Sequence, residues 1–280
     1  MAAQQLLSID VVFITLGVAL VGLAVGSFLN VVIWRVPRGE SVSHPPSACP
    51  GCGNAIRARD NIPVLSWLIL RRKCRDCGEP ISARYPFVEL ATSLFFAAVT
   101  VHALVVGYGV GEGPAFAALP AFLYLAAISV ALAAIDIDVR KLPNRIVLPS
   151  IVVGAVLLAI ASLIAGDWGA LLRAGIGSVA LFVFYFILVL AYPSGMGFGD
   201  VKLAAVLGLY LGWVGWDALV VGAFAAFLGG GLFSIGLVVF RKAGRSTAIP
   251  FGPWMLLGTW VGIFFGPGIA RGYLSLVGLG

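Results

Sequence analysis

"VALFVFYFILVLAYPSGMGFGDVKLAAVLGLYLGWVGW", residues 179–216, carries two charged side chains, Asp200 and Lys202, in 38 positions. Two apolar runs flank a break rich in Pro and Gly. Each run approaches the roughly 20 residues needed to cross a hydrocarbon core of about 30 Å. A soluble domain cannot place such runs back to back, because it must cover its surface with polar groups. The rest of the chain agrees: of 280 residues, 61% are hydrophobic and 11% charged. Similar stretches recur near 11–34, 86–106, 114–135, 146–165, 170–192, 201–215, 217–240 and 253–273. The pattern predicts an all-α polytopic membrane protein of about eight transmembrane helices. Only residues 35–85 leave room for a soluble segment.

The N-terminus "MAAQQLLSID" has no Lys or Arg and so lacks the basic start of a signal peptide; the first run is expected to stay as a membrane helix. Nine of the 18 basic residues lie in 35–85. Arg140, Lys141, Arg145, Lys202, Arg241, Lys242 and Arg245 fall on the same side of an eight-span topology, leaving only Arg173 and Arg271 opposite. Positive loops face the cytoplasm, so the sequence predicts a cytoplasmic 35–85 segment with both termini outside. The net charge of +6 is explained by these loops without nucleic acid as a partner. Trp34, Trp67, Tyr85, Trp168, Tyr192, Trp213, Trp216 and Trp254, near predicted span ends, fit an interfacial belt. "GLAVG" (22–26) and "GLYLG" (208–212) have the small-residue spacing of closely packed helices.

All four cysteines sit in the soluble segment, as "CPGCG" (Cys49, Cys52) and "CRDCG" (Cys74, Cys77), with 21 residues between the pairs. That is close to zinc-ribbon spacing. Each pair turns two thiolates toward one point, the following Gly lets the loop fold back, and four thiolates close a tetrahedral shell around Zn²⁺. Two disulfides are the competing reading, disfavoured on a reducing side of the membrane; a redox pair is another, and the matched second pair argues against it. About 50 residues with few large apolar side chains need such a staple to fold. A Cys₄ site has no open position for chemistry, so the segment reads as zinc-ribbon-like and structural.

Carboxylates at membrane depth are costly and are functional candidates by default. Asp10, Glu112, Asp167 and Asp217 fall at span ends or loops, and Glu40, Asp60, Asp76 and Glu79 in the soluble segment. There remain Glu89, Asp200, and Asp136 with Asp138 in "AAIDIDVRKLPN". Asp136 closes the third span and Asp200 opens the sixth, at the same membrane edge. Two carboxylates sharing a proton hydrolyse peptide bonds: one activates water, the other polarises the carbonyl. Gly195, Gly197 and Gly199 would allow unusual backbone and a close approach of an extended substrate to Asp200. Asp138 lies two positions from Asp136, on nearly the opposite side of a helix. The apolar run before Asp136 favours it over Asp138, which is expected to be interfacial beside Arg140 or Lys141. The plainer reading, in which both aspartates merely cap span ends, stands beside this one.

The motifs together resemble the prepilin peptidases (type IV prepilin leader peptidases) over nearly the whole chain. They occur in family order as "GSFLNVVIWRVP" (26–37), "HPPSACPGCG" (44–53), "NIPVLSWL" (61–68), "CRDCGEPISARYPFVEL" (74–90), "IDIDVRKLPN" (135–144), "GMGFGDVKL" (195–203) and "IPFGP" (249–253). The resemblance implies a G-x-G-D aspartyl peptidase of the bacterial inner membrane with Asp136 and Asp200 catalytic. Its substrates would be prepilins or secretion pseudopilins, cut after a leader-terminal Gly at the cytoplasmic face. It also implies N-methylation of the new amine with S-adenosylmethionine as donor, although no G-x-G-x-x-G after a strand marks such a site. The implied domains are a first helix (1–34), a zinc-binding segment with a methyltransferase role for it and its flanks (35–85), and a membrane peptidase (86–280). Gly195, Gly197, Gly199, Lys202, Pro250 and Gly252 are candidates for the substrate cleft, and Glu89 for orienting the amine. An ion-relay transporter using Asp136 and Asp200, or an assembly factor docking through the zinc segment, is the alternative; a transporter would show inverted repeats, and none is evident.

Overall fold

Uninterrupted apolar segments satisfy their backbone polar groups internally only as helices, and that is what they form. In the computed structural model, residues 9–108, 112–193, 196–240 and 250–278 are described. Among them are eight long helices: α1 (Ile9–Arg35), α2 (Arg84–Val101), α3 (Glu112–Val139), α4 (Asn144–Ala165), α5 (Trp168–Ala191), α6 (Phe198–Val214), α7 (Trp216–Val239) and α8 (Gly252–Leu276). A π-helical turn, His102–Val106, extends α2. No strand longer than an isolated bridge occurs among the described residues. Seven of the eight helices are long and apolar enough to cross a membrane; α6, with 17 residues, is the exception. Its length of about 26 Å at 1.5 Å per residue falls a little short of a hydrocarbon core, in keeping with the short sixth run of the sequence.

The chain divides into two compact units, one holding the residues up to Val106 with Phe122–Ile135, the other Gly107–Ala121 with Asp136 onward. In the first, α1 lies against α2 through the "GLAVG" glycines. A Cβ on Gly22 would come 2.8 Å from Ser93 Cα, and one on Gly26 2.7 Å from Glu89 Cα. The backbones are close enough for Ser93 Oγ to donate to Ala19 O at 2.8 Å and Asn30 Nδ2 to Tyr85 O at 3.2 Å. Outward faces keep large apolar side chains exposed, such as Phe13 and Leu20 on α1 and Phe87 and Leu94 on α2; lipid, not water, suits them.

In the second unit α6 is the centre, touching α4, α5, α7 and α8. Apart from Lys202, every residue from Asp200 to Trp213 is buried. A helix enclosed by others need not match the bilayer itself, which is how 17 residues suffice. The "GLYLG" glycines again set the approach: a Cβ on Gly208 would stand 2.3 Å from Gly177 O, and one on Gly212 2.4 Å from Arg173 O. Trp213, placed by sequence in the interfacial belt, is instead fully buried, its indole donating to Ser162 Oγ at 2.8 Å. α6 ends inside the bundle, so its last aromatic meets protein. Gly208→Ala is expected to force α5 and α6 apart at a cost of about 1–3 kcal/mol, read as a lower unfolding temperature in detergent. An unchanged temperature would show that the contact is dispensable.

Candidate active site and metal centre

The two predicted aspartates come from helix ends. Asp136 lies in the last turn of α3 and is 5% exposed; Asp200 lies in the first turn of α6 and is 9% exposed. Asp138, two residues on, is exposed. One helix therefore presents Asp136 inward and Asp138 outward, as a spacing of two requires. Asp136 Oδ2 accepts the amide of Gly252, the first residue of α8, at 3.0 Å. Asp200 Oδ2 accepts the amide of Gly197 at 3.0 Å, and its own amide donates to Gly197 O at 3.1 Å, closing the first turn of α6. Each carboxylate thus rests against the N-terminal end of a helix, where partial positive charge favours an anion.

Leu142, in the loop between α3 and α4, ties the two together. A Cβ on Gly199 would meet Leu142 Cβ at 3.1 Å, and one on Gly252 would meet Leu142 Cδ2 at 3.3 Å and Asp136 Oδ2 at 2.7 Å. Leu142 thus lies beside Gly199, next to Asp200, and beside Gly252, whose amide Asp136 accepts, while the buried ring of Tyr185 in α5 lies 6.3 Å from that of Phe251, the neighbour of Gly252. Neither Leu142 nor Tyr185 was singled out from sequence. Tyr185 gave one signal, a lone hydroxyl inside "FVFYFIL"; Leu142 gave none.

The glycines act differently from expectation. Gly197 has φ −83° and ψ 153°, which any residue adopts, and Gly199 is helical. Helix α6 begins at Phe198 and absorbs the second half of the motif, so clearance rather than special backbone is what Gly199 and Gly252 provide. Gly195 lies outside the described residues, and Pro250 precedes α8 half-buried. Lys202 Nζ donates to Asn144 Oδ1 at 3.0 Å and lies 4.9 Å over the Phe198 ring.

Glu89 sits in the second turn of α2, not the first, and is buried. At that depth the helix N-terminus, whose charge fades after the first turn, does not account for its carboxylate. Its Oε2 accepts the amide of Val64 at 2.7 Å. Val64 has φ 62° and ψ −49°, and Leu65 N donates to Pro63 O at 2.6 Å across it, forming a γ-turn in a region β-branched residues rarely occupy. Such strain, of order 1–3 kcal/mol, persists only where surroundings hold it; the Glu89 carboxylate is one such restraint.

The four cysteines converge, their sulfur atoms all within 4.8 Å of one another and Cys49 Sγ 3.7 Å from Cys77 Sγ. The two knuckles repeat each other. Cys49 N donates to Asn54 O and Gly53 N to Cys49 O; Cys74 N donates to Glu79 O and Gly78 N to Cys74 O. Gly53 (φ 73°) and Gly78 (φ 76°) take the left-handed turn that this fold-back needs. Amides of Cys77 and Asp76 bring the Cys74 thiol down to about 7. At Cys77 the Glu79 amide pulls downward, but desolvation and the neighbouring thiols prevail and push it up to about 12. Four sulfur atoms so close together offer a closed set of donors to one ion. Tetrahedral Zn²⁺ with Zn–S of about 2.3 Å has S···S edges of about 3.8 Å, so the donor set fits such an ion. Outside the sulfurs, Arg75 binds Asp60 (2.6 Å) and Arg57 binds Asp76 (3.1 Å), linking one knuckle's surroundings to the other's.

Residues 20–103 match the Bacterial Peptidase A24 N-terminal domain, and residues 121–235 match the Type IV leader peptidase family. The chain is 38% identical to the prepilin leader peptidase/N-methyltransferase of Aeromonas hydrophila, with 92% of this chain and 93% of that one covered. It is 35% identical to the protein of that name from Stutzerimonas stutzeri and 34% identical to that of Pseudomonas aeruginosa, each over 92% of this chain and 93% of the relative. No solved structure matches the chain.

Proposed function

The chain belongs to the type IV leader peptidase family, and on that premise we propose that Asp136 and Asp200 hydrolyse the leader peptide bond of prepilins or pseudopilins in a bacterial inner membrane. The observation that carries the reading is that two buried carboxylates from positions 64 apart in sequence, each with one amide donor, flank the same side chain: Leu142 borders both Gly199, beside Asp200, and Gly252, beside Asp136. One carboxylate, ionised, takes a proton from water as the oxygen attacks the carbonyl carbon. The other, protonated, donates to the carbonyl oxygen, and the leaving amine takes a proton as the C–N bond breaks. Gly197, Gly199 and Gly252, with Pro250 and Lys202, border the approach to the pair; Gly195 stays a candidate from the sequence alone. An extended substrate backbone can come close where no Cβ intervenes. The positive-inside count supports both termini outside and a cytoplasmic 35–85 segment, and the cytoplasmic side is where a basic leader waits.

The relatives' second named activity is N-methylation. S-adenosylmethionine, when bound, supplies the methyl group for the amine that cleavage exposes. We assign the metal of the cysteine cluster as Zn²⁺ held by Cys49, Cys52, Cys74 and Cys77. The proposed division is a first helix (1–34), a zinc segment (35–85) and a peptidase (86–280). Glu89, placed here as the restraint on Val64, acts through that turn rather than on the amine.

Purified protein with a synthetic prepilin segment tests the reading. The expected products are a free leader and a mature segment that gains one methyl group only when the donor is added. An uncut segment would refute the peptidase. Gly252→Ala sets a Cβ against the Asp136 carboxylate, and the cleavage rate is expected to fall about 10–100-fold, a misplacement effect, with the unfolding temperature little changed. A wild-type rate would show that Asp136 tolerates displacement.

A further inference from the structure

A cavity of about 410 Å³ lies within the first unit, bounded by the C-terminal half of α1, the loop of residues 42–47, and Asn61 with Pro63. We propose that this cavity is where the chain binds the methyl donor, S-adenosylmethionine. The inference rests on the N-methyltransferase part of the proposed function and adds the site. Peptide cleavage is assigned to carboxylates of the second unit, whereas this cavity falls inside the stretch matching the N-terminal domain. A second chemistry needs a second site, and the volume falls within the about 300–1,000 Å³ of small-molecule pockets.

The lining suits a ligand with a carboxylate, a cation, a ribose and a flat base. Arg35 spends one N–H on Ser41 O (3.0 Å) and one on Pro45 O (2.8 Å). A guanidinium has five N–H donors, so it retains donors for a ligand carboxylate while its own position is fixed by those bonds. Ser27 and Asn61 offer a hydroxyl and an amide for hydroxyls or base edges. Phe28 is among the lining residues, and an aromatic ring attracts a sulfonium cation. The wall at Pro63 is not left to chance: Pro63 precedes Val64, whose strained turn is held by the buried Glu89 carboxylate at 2.7 Å. Glu89 is therefore a positioning residue for this cavity, which gives the buried carboxylate of α2 a purpose. In the transfer, the lone pair of the deprotonated substrate amine forms the new N–C bond. The C–S bond breaks with its electrons passing to sulfur, leaving S-adenosylhomocysteine, and the surplus proton of the alkylated amine goes to solvent.

The test uses the full chain in detergent with S-adenosylmethionine, titrated by calorimetry, and a photoreactive analogue mapped by mass spectrometry. Ser43→Trp and Ser27→Phe place bulk in the cavity from two different walls. Each is expected to weaken binding at least about tenfold, while metal content and elution volume stay those of wild type. Crosslinks are expected within residues 24–47 and 61–63. Wild-type affinity in both filled variants, with crosslinks elsewhere, would overturn the site and leave N-methylation standing. A phospholipid that co-purifies in the cavity and is not displaced by the donor would also overturn it. A wild-type chain that neither binds the donor nor methylates a cleaved segment would sink both readings together.

Discussion

Asp136→Asn and Asp200→Asn are each expected to lower prepilin cleavage by about 10³-fold or more, with unfolding temperatures close to wild type. Asn keeps the shape and one acceptor oxygen, so the amides of Gly252 and Gly197 retain a partner. What is lost is the charge that activates water, or the acidic proton that polarises the carbonyl. On the proposed mechanism the pair acts as a unit, so the double variant is expected to be little worse than either single one, the non-additivity of groups serving one step. Asp138→Asn supplies the contrast: its side chain is exposed on the other side of α3, and cleavage is expected to remain within a few-fold of wild type. The measurement is product mass against time on purified protein. Persistent cleavage in either single variant would refute the dyad, and loss of cleavage in Asp138→Asn alone would move the assignment to that residue.

The second large effect is metal removal. A strong chelator, or Cys74→Ser, is expected to unfold the segment between α1 and α2, because a structural zinc such as the one proposed supplies about 10–16 kcal/mol of apparent folding free energy at neutral pH. Hydrogen exchange across residues 35–85 would report it as a loss of protection in the knuckles, while α5 to α8 stay protected. Retained protection after complete metal loss would show that the ion pairs and packing suffice. Acid is expected to act in two steps. Protons compete with the metal for the thiolates first, since a Cys₄ site needs all four deprotonated. Asp60 follows: its hydrogen bond from Arg75 holds its carboxyl below the ordinary range. Its contribution is thus complete above the ordinary value near about 3.9 and disappears only as pH falls through the lower folded value. The pair is solvent-exposed on the Arg75 side, so the metal step is expected to dominate.

Much of this protein was legible in the sequence for physical reasons. Eight apolar runs had no folded alternative to helices, and the eight helices found match them, including the short sixth one. The cysteine spacing implied convergence, since two C-x-x-C turns each followed by Gly have little else to do, and the four sulfurs meet. The small-residue spacings of Gly22 with Gly26 and Gly208 with Gly212 implied close backbone contact, which the structure provides. Helical geometry told Asp136 and Asp138 apart, the apolar run before Asp136 favoured it, and the burial of Asp136 beside the exposure of Asp138 agrees with that.

Tertiary structure decided the rest. Helices that are apolar on every side carry no stripe to say which face meets which neighbour. Nothing local therefore indicated that the ends of α3, α6 and α8 would bring Asp136 and Asp200 near each other, with Leu142 packed beside Gly199 and Gly252. The same indifference hid Tyr185 in its apolar run and sent Trp213 to the interior. Glu89 showed the limit most plainly. Its cost marked it as important in the sequence, but its partner, a backbone amide 25 residues away, exists only once α2 and the 61–66 turn are packed together. Apolar surroundings in the chain marked which carboxylates would be costly to bury, because charge in hydrocarbon needs a partner; packing of the helices supplied the partners that offset the cost.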